Sequence, residues 1–254
     1  MEPGAPIGES PIGAPARILP VERAAAALEV LLCSGFPTQL AVIVFLSSLG
    51  MRPRLADGGF NPPFLFALTL LDTVLLVGLV VFFFRAHRES FAEELFAAGP
   101  SLREAVYGLL LIPISFFIVI VVLLAVQMTA PWLRNVPHNP LADLAKTRGQ
   151  AILFAFVVMV AGGVREEIQR AFILHRFEQR LGGGLVGMLA FGVAFGLGHL
   201  VQGWSVVIIT ALLGTLWSIV YLARRSVLAP MVSHASFNLI EVISFGLVAC
   251  AGWV

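Results

Sequence analysis

The chain has 254 residues, of which 59% are hydrophobic and 12% are charged. Water-soluble domains are about 45–50% apolar and about 25% charged, so this composition excludes a water-soluble enzyme. Sixteen basic residues against 15 acidic residues give a net charge of +1, which argues against a nucleic-acid partner. With a mean hydropathy of +0.95, the chain is predicted to be an all-α, polytopic transmembrane helical bundle in a lipid bilayer.

Residues 1–23 are rich in Pro, Gly and Ala and lack the pattern of a signal peptide, which predicts a disordered N-terminal tail. Residues 24–254 are predicted to form one transmembrane domain. A membrane-spanning helix needs about 20 mostly apolar residues. Seven stretches qualify, at about 25–50, 62–84, 105–128, 151–175, 184–201, 204–222 and 227–253. Pro37 in the first stretch and Pro230 in the last each predict a kink or a break, and a break in the last would raise the count to eight.

Basic residues in the connections predict the orientation, because cytoplasmic loops carry an excess of Lys and Arg. One set of connections holds nine of them: Arg17, Arg23, Arg85, Arg88, Arg103, Arg176, Arg180, Arg224 and Arg225. The other set holds five: Arg52, Arg54, Arg134, Lys146 and Arg148. This bias predicts a cytoplasmic N-terminus, with the protein integral to a bacterial inner membrane. Within one cytoplasmic connection, Ser90 and Glu93 have the spacing of a capping box, which predicts a short interfacial helix.

The fourth stretch contains four charged residues within six positions: Arg165, Glu166, Glu167 and Arg170. Each charge near the bilayer centre costs about 2.5–3.5 kcal/mol on insertion scales, so these side chains must pair or face a wet cavity. Glu166 and Arg170 are four residues apart, which predicts an ion pair along one helix face. An alternative is that this pair, together with a pair between Arg165 and Glu167, only stabilises the interior of the bundle.

Two histidines and an asparagine lie in the neighbouring stretches. Glu166 lies about 16 residues before the turn at 181–184 and His199 about 15 residues after it, so both stand roughly 23 Å from one membrane face. We therefore expect Glu166 and His199 to face one cavity. His234 is only roughly 15 Å deep by the same count and fits this arrangement less well. Asn238 follows it by one helical turn and can share its face.

One glutamate and two histidines in a membrane cavity are the side chains of a water-activating site. The carboxylate can act as a general base, or Glu166, His199 and His234 can bind a catalytic zinc ion that keeps one position open. Asn238 can donate a hydrogen bond to a developing oxyanion.

Three short motifs resemble those of the CPBP (Abi) family, the intramembrane proteases typified by the type II CAAX prenyl endopeptidases. The family pattern is EExxxR, then FxxxH, then HxxxN, each on its own transmembrane helix. This chain carries the three in order: Glu166-Glu167 with Arg170, Phe195 with His199, and His234 with Asn238. The resemblance covers about residues 150–245, where it implies the catalytic core.

The resemblance implies an intramembrane endopeptidase that hydrolyses a peptide bond of a membrane-associated peptide or protein, such as a prenylated CAAX-type substrate. It implies His199 as the partner of the catalytic carboxylate, with His234 and Asn238 stabilising the tetrahedral intermediate and with Arg170 and Phe195 as structural support. Whether the family's site holds a metal ion is disputed.

The first motif departs from the family pattern, because two residues instead of three separate the Glu pair from Arg170. One residue of shift rotates a helical side chain by about 100°, so Glu166 and Glu167 cannot both take the family's positions. Either Glu can be the water-activating carboxylate, and the depth of Glu166 favours Glu166. Alternatively, the chain has lost proteolysis and serves as a membrane scaffold or a bacteriocin-immunity-type protein.

A third alternative is a small transporter. In that case Asp72, Glu166, Glu241 and the histidines would form a proton relay.

Overall fold

The computed structural model describes residues 18–97, 99 and 101–250, with side chains as far as Ser244. No β-strand is present in this part of the chain, so the all-α prediction is confirmed. Its α-helices are α1 Pro20–Leu32, α2 Phe36–Ser48, α3 Pro62–Ala86, α4 Phe91–Phe96, α5 Leu102–Thr129, α6 Arg148–Val158, α7 Glu166–Arg180, α8 Gly184–Leu197, α9 Trp204–Arg224 and α10 Leu228–Cys250. A π-helical segment, Met159–Arg165, joins α6 to α7 without a break.

Three helices, α3, α5 and α9, are long and apolar enough to cross a membrane, and α1 with α2 would make a fourth span bent by 43°. The protein is therefore an integral membrane protein. Seven or eight spans are not confirmed. The helix α8 is apolar but has only 14 residues, and the helix through α6 and α7 carries the four charges of the first motif.

Two features of the helices differ from the prediction, and a proline lies at each of them. The first helix begins at Pro20, so residues 20–23 of the predicted tail are helical, while residues 1–17 lie outside the described residues. Of the kink or break predicted at Pro230, the break is absent, because α10 is continuous. Pro230 lies in its first turn, where a missing backbone N–H leaves no helical hydrogen bond unmade. The kink or break predicted near Pro37 is confirmed as a break, since α1 ends at Leu32 and α2 begins at Phe36 with a bend of 43° between them.

The short helix α4 lies against the start of α10. As the capping box predicts, Ser90 Oγ accepts a hydrogen bond from the Glu93 backbone N–H, at 3.3 Å. The Leu95 carbonyl accepts a hydrogen bond from the Val227 N–H at 2.9 Å, and both side chains are buried. Because α4 covers the turn before α10, α10 begins below the surface of the bundle.

A glycine sets the distance between α5 and α10. A Cβ atom at Gly108 would lie 2.6 Å from the Ala229 carbonyl oxygen and 2.7 Å from Val232 Cβ, which are distances that real Cβ atoms do not reach. Small residues allow transmembrane helices to approach closely, so Gly108 allows the contact that holds α10 in place.

A cluster of charged groups ties α7 to the N-terminal part of the bundle. The Arg176 guanidinium is buried and donates from Nε to Glu29 at 2.6 Å and from Nη1 to Glu89 at 2.7 Å. Gln179 Nε2 also donates to Glu89, at 2.7 Å. Partial burial raises the pKa of Glu89, but hydrogen bonds from Gln179 and Arg176 and the positive charge of Arg176 outweigh it. The pKa of this carboxyl therefore lies below its ordinary value.

Replacing Gly108 with Ala should destabilise the bundle, because the added methyl group must push α5 away from α10. Overpacking of this kind costs about 1–3 kcal/mol. Thermal unfolding in detergent should show a lower midpoint for Gly108→Ala. The control is Gly78→Ala on α3, where the added Cβ meets no atom within 4 Å. Equal midpoints for the two variants would contradict the close contact.

Acid should weaken the attachment of α7 through Glu89. A carboxyl group whose pKa is lowered by folding stabilises the folded state above its unfolded pKa, and it loses that contribution as the pH falls through the folded value. The stability of the wild type should therefore decline below about pH 4.5, the ordinary value for Glu. Glu89→Gln should flatten this decline in unfolding curves measured between pH 7 and pH 3. An unchanged slope in the variant would argue against the prediction.

Candidate active site

A cavity of about 390 Å³ lies between α3, α5, α6, α9 and α10. Most of its wall is apolar. Five residues that the motifs single out line it: Glu166, Phe195, His199, His234 and Asn238. Glu166 and His199 thus share one cavity, as their predicted depths require. The other two motif residues, Glu167 and Arg170, lie behind this wall and are buried.

The π-helical segment brings α10 against the first motif. A Cβ atom at Gly162 would lie 2.2 Å from Asn238 Nδ2, and one at Gly163 would lie 2.4 Å from Ala235 Cβ. Asn238 Nδ2 donates to the Val158 carbonyl at 3.5 Å. At Gly163 a side chain would meet the Ala235 Cβ and backbone, and at Gly162 it would displace the Asn238 amide, so the Gly pair allows Asn238 its place at the cavity. Such π segments occur often at functional sites.

The ion pair predicted between Glu166 and Arg170 is wrong. Arg170 pairs with Glu167, and both side chains are almost completely buried. An arginine on an α-helix reaches a carboxylate three residues away as readily as one four residues away. The shortened motif therefore places Glu167 beside Arg170, and Glu166 turns towards the cavity.

Three aromatic rings surround the Arg170 guanidinium. Its carbon atom lies 5.1 Å from the ring centre of Phe191, 5.3 Å from that of Phe195 and 5.5 Å from that of Trp217. A cation is attracted to the faces of aromatic rings, and this attraction is stronger when water is excluded. Arg170 therefore connects α7 to α8 and α9.

His234 is held by the same buried group. Its Nδ1–H donates to Glu167 Oε1 at 2.7 Å, because an ionised carboxylate can only accept. The imidazole also stacks on Trp217, with ring centres 3.9 Å apart. Its second nitrogen, Nε2, lies 3.8 Å from Glu166 Oε2. In many active sites a carboxylate fixes the tautomer and the orientation of a histidine in this way.

The predicted depth of His234 was too shallow. Counting residues from the Arg224-Arg225 turn assumes that this turn lies at the membrane surface. The contacts of His234 with Glu167 and Glu166, at 2.7 and 3.8 Å, instead place His234 level with both carboxylates.

The sequence predicted that His199 lies within a helix, but it lies just beyond the end of one. The helix α8 ends at Leu197, and Gly198 and His199 begin the turn that leads to α9. His199 Nδ1–H donates to the Phe195 carbonyl at 2.9 Å, since a carbonyl can only accept. The Nε2 atom of the neutral ring therefore keeps its lone pair. The Phe195 ring packs edge-on against His199, with centres 4.9 Å apart.

Arg165 pairs with Asp72 on α3 instead of Glu167, at 2.8 Å, and both side chains are buried. It also donates to Gln169 at 3.1 Å, and Gln169 donates to the Cys33 carbonyl at 2.8 Å. Neither the pair nor this chain of contacts was predicted from the sequence. The sequence did contain evidence for a buried ion pair, because Asp72 is the only acidic residue of α3 and needs a cation within the bundle.

The arrangement does not support the predicted zinc site. Among the described residues, no group of three or more His, Cys, Asp or Glu side chains is placed to hold a metal ion. Glu166, His199 and His234 line the same cavity without forming such a group. A zinc ion bound by these three residues stays a prediction.

Comparison with protein families gives a match over part of the chain. Residues 148–240 match the model of the family described as "Type II CAAX prenyl endopeptidase Rce1-like". No curated protein and no solved structure matches the chain. The matched residues contain all three motifs, so the family resemblance inferred from those motifs is confirmed over this part of the chain.

Replacing Arg170 with Met should unfold the site. The variant keeps a long apolar side chain but leaves Glu167 buried without its cation, which costs about 3–5 kcal/mol. Thermal unfolding in detergent should give a markedly lower midpoint, with a lower folded yield.

The control for Arg170→Met is Arg225→Met, which removes a half-exposed arginine that pairs with Glu178. Loss of an ion pair at the surface costs at most about 1 kcal/mol. Comparable midpoints for the two variants would show that Glu167 does not depend on Arg170.

Proposed function

We propose that the protein is an intramembrane endopeptidase in which Glu166 activates the attacking water. One observation carries this proposal: the neighbouring carboxylates are divided between two tasks. Arg170 and His234 hold Glu167 in the interior, whereas Glu166 lines the cavity with His199 and Asn238. A general base must reach its water, and Glu166 is the carboxylate of the first motif that meets this requirement.

Hydrolysis would begin when the Glu166 carboxylate takes a proton from water while the water oxygen attacks the peptide carbonyl carbon. The carbonyl oxygen becomes an oxyanion in the tetrahedral intermediate. When the C–N bond breaks, Glu166 returns its proton to the leaving nitrogen. The products are one carboxyl-terminal and one amino-terminal fragment, with one water consumed.

Three side chains would assist at the oxyanion. Asn238 carries an amide N–H₂ group of which one hydrogen remains free when the other is donated to the Val158 carbonyl. His199 and His234, when protonated at Nε2, can donate to the same oxygen. Donors fixed before the reaction in an apolar cavity stabilise developing charge more strongly than water does.

The substrate proposed is a membrane-associated peptide or protein, of which a prenylated CAAX-type chain is the example that the family suggests. Apolar cavity walls support a substrate that reaches the site from the bilayer. The excess of basic residues on one set of connections supports a cytoplasmic N-terminus, and a bacterial inner membrane is proposed as the location.

Glu166→Gln should abolish most of the peptidase activity. The amide keeps the shape of the side chain but cannot accept a proton from water, and loss of a general base costs at least about 100-fold in rate. The assay measures cleavage of fluorogenic peptides by the purified protein in liposomes, with and without a chelator to detect a metal requirement. The thermal midpoint should stay close to that of the wild type, because Glu166 is not the partner of Arg170.

Glu167→Gln is the matched comparison. It should lower the thermal midpoint and should reduce activity through misplacement of His234. Full activity of Glu166→Gln together with loss of activity in a stably folded Glu167→Gln would reverse the assignment. If both single variants and the double variant retain full activity, a Glu-based mechanism is excluded.

A further inference from the structure

Glu241 lines the same cavity as the proposed catalytic residues. It follows His234 by seven residues and Asn238 by three, so the three side chains share one face of α10. At 1.5 Å per residue, Glu241 lies about 10 Å beyond His234 along the helix axis. The cavity therefore extends from the Glu166–His234 contact to a second carboxylate.

The Glu241 carboxylate has no partner among the described residues. Neither a hydrogen bond nor an ion pair joins its oxygens to another side chain there. Nearby walls are apolar, and they include Phe66 and Val242 of one hydrophobic cluster. A carboxylate in such surroundings is costly unless a cation or hydrogen-bond donor meets it, and ionisable residues within membrane helices usually mark a pathway or a ligand site.

The charges of the cavity wall are of one sign. Glu166 and Glu241 line it, and no Lys or Arg of the described residues does. Arg165 lies 4.0 Å from Glu166 and pairs with Asp72 at 2.8 Å, and Arg170 pairs with Glu167, so neither arginine is available to Glu241. A positively charged group of a substrate would neutralise the carboxylate of Glu241, whereas an acidic group would be repelled by it.

We infer that Glu241 is a specificity-determining residue that binds a Lys or Arg side chain of the peptide substrate. This inference rests on the proposed peptidase function. An extended peptide advances about 3.3–3.6 Å per residue, so the separation from His234 corresponds to about three residues. The basic side chain therefore belongs to a residue within about three positions of the scissile bond.

The test uses fluorescein-labelled apolar peptides that differ at one position within three residues of the cleaved bond, where they carry Lys, Arg, Gln or Glu. The wild type in detergent micelles should show a kcat/KM about 10- to 100-fold higher for the Lys and Arg peptides than for the Gln peptide, as expected for a buried charge-assisted hydrogen bond. Glu241→Gln should remove this preference, and Glu241→Lys should favour the Glu peptide. Glu93→Gln, which neutralises an exposed carboxylate outside the cavity, should keep the wild-type preference.

A binding measurement separates this inference from the peptidase proposal. Fluorescence polarisation with the Glu166→Gln variant reports affinity for the same peptides without cleavage, and adding Glu241→Gln should abolish any preference for Lys and Arg. Preferential binding of basic peptides without cleavage by the wild type would support the role of Glu241 and overturn the peptidase function. Cleavage that does not discriminate between Lys, Arg and Gln peptides would overturn the role of Glu241 alone. If the protein neither binds nor cleaves any of the peptides, both the role of Glu241 and the peptidase function are overturned.

Discussion

The site depends on the buried contact between Glu167 and Arg170. A charge in the interior of a membrane protein is tolerated only with a partner, and here the pair also fixes its neighbours. Glu167 accepts the hydrogen bond of His234 on α10, and Arg170 lies among aromatic rings of α8 and α9. One ion pair on α7 thus joins three other helices around the cavity, so the position of each candidate catalytic group follows from it.

The shortened first motif has a physical consequence. Adjacent residues on a helix point about 100° apart, so two neighbouring glutamates cannot both face one cavity. When Arg170 pairs with Glu167, the direction of Glu166 is determined as well, and Glu166 meets Nε2 of His234 from the cavity side. With two residues between the Glu pair and Arg170, the arginine binds Glu167, and one carboxylate remains at the cavity.

Much of this arrangement could be predicted from the sequence, since motif order and helix periodicity place Glu166, His199 and Asn238 on one cavity. Contacts between distant segments could not. The pairing of Arg165 with Asp72 depends on how α3 packs. The position of His234 beside Glu167 depends on how α10 packs within the bundle, which a count of residues along the chain does not give.

Hydrolysis within a membrane needs water where the bilayer excludes it. In the proposed peptidase, the cavity would meet this need because one of its ends is polar and its helical wall is apolar. Asn139 and Gln202 lie in the connections that precede α6 and α9, line the cavity and join by a hydrogen bond of 3.2 Å. Polar groups from two connections thus lie at one end, near the turn that holds His199, whereas α3 and α6 supply the apolar wall. In the proposed peptidase, water would enter along the polar connections while a membrane-associated chain lies against the apolar helices, and the two would meet at Glu166.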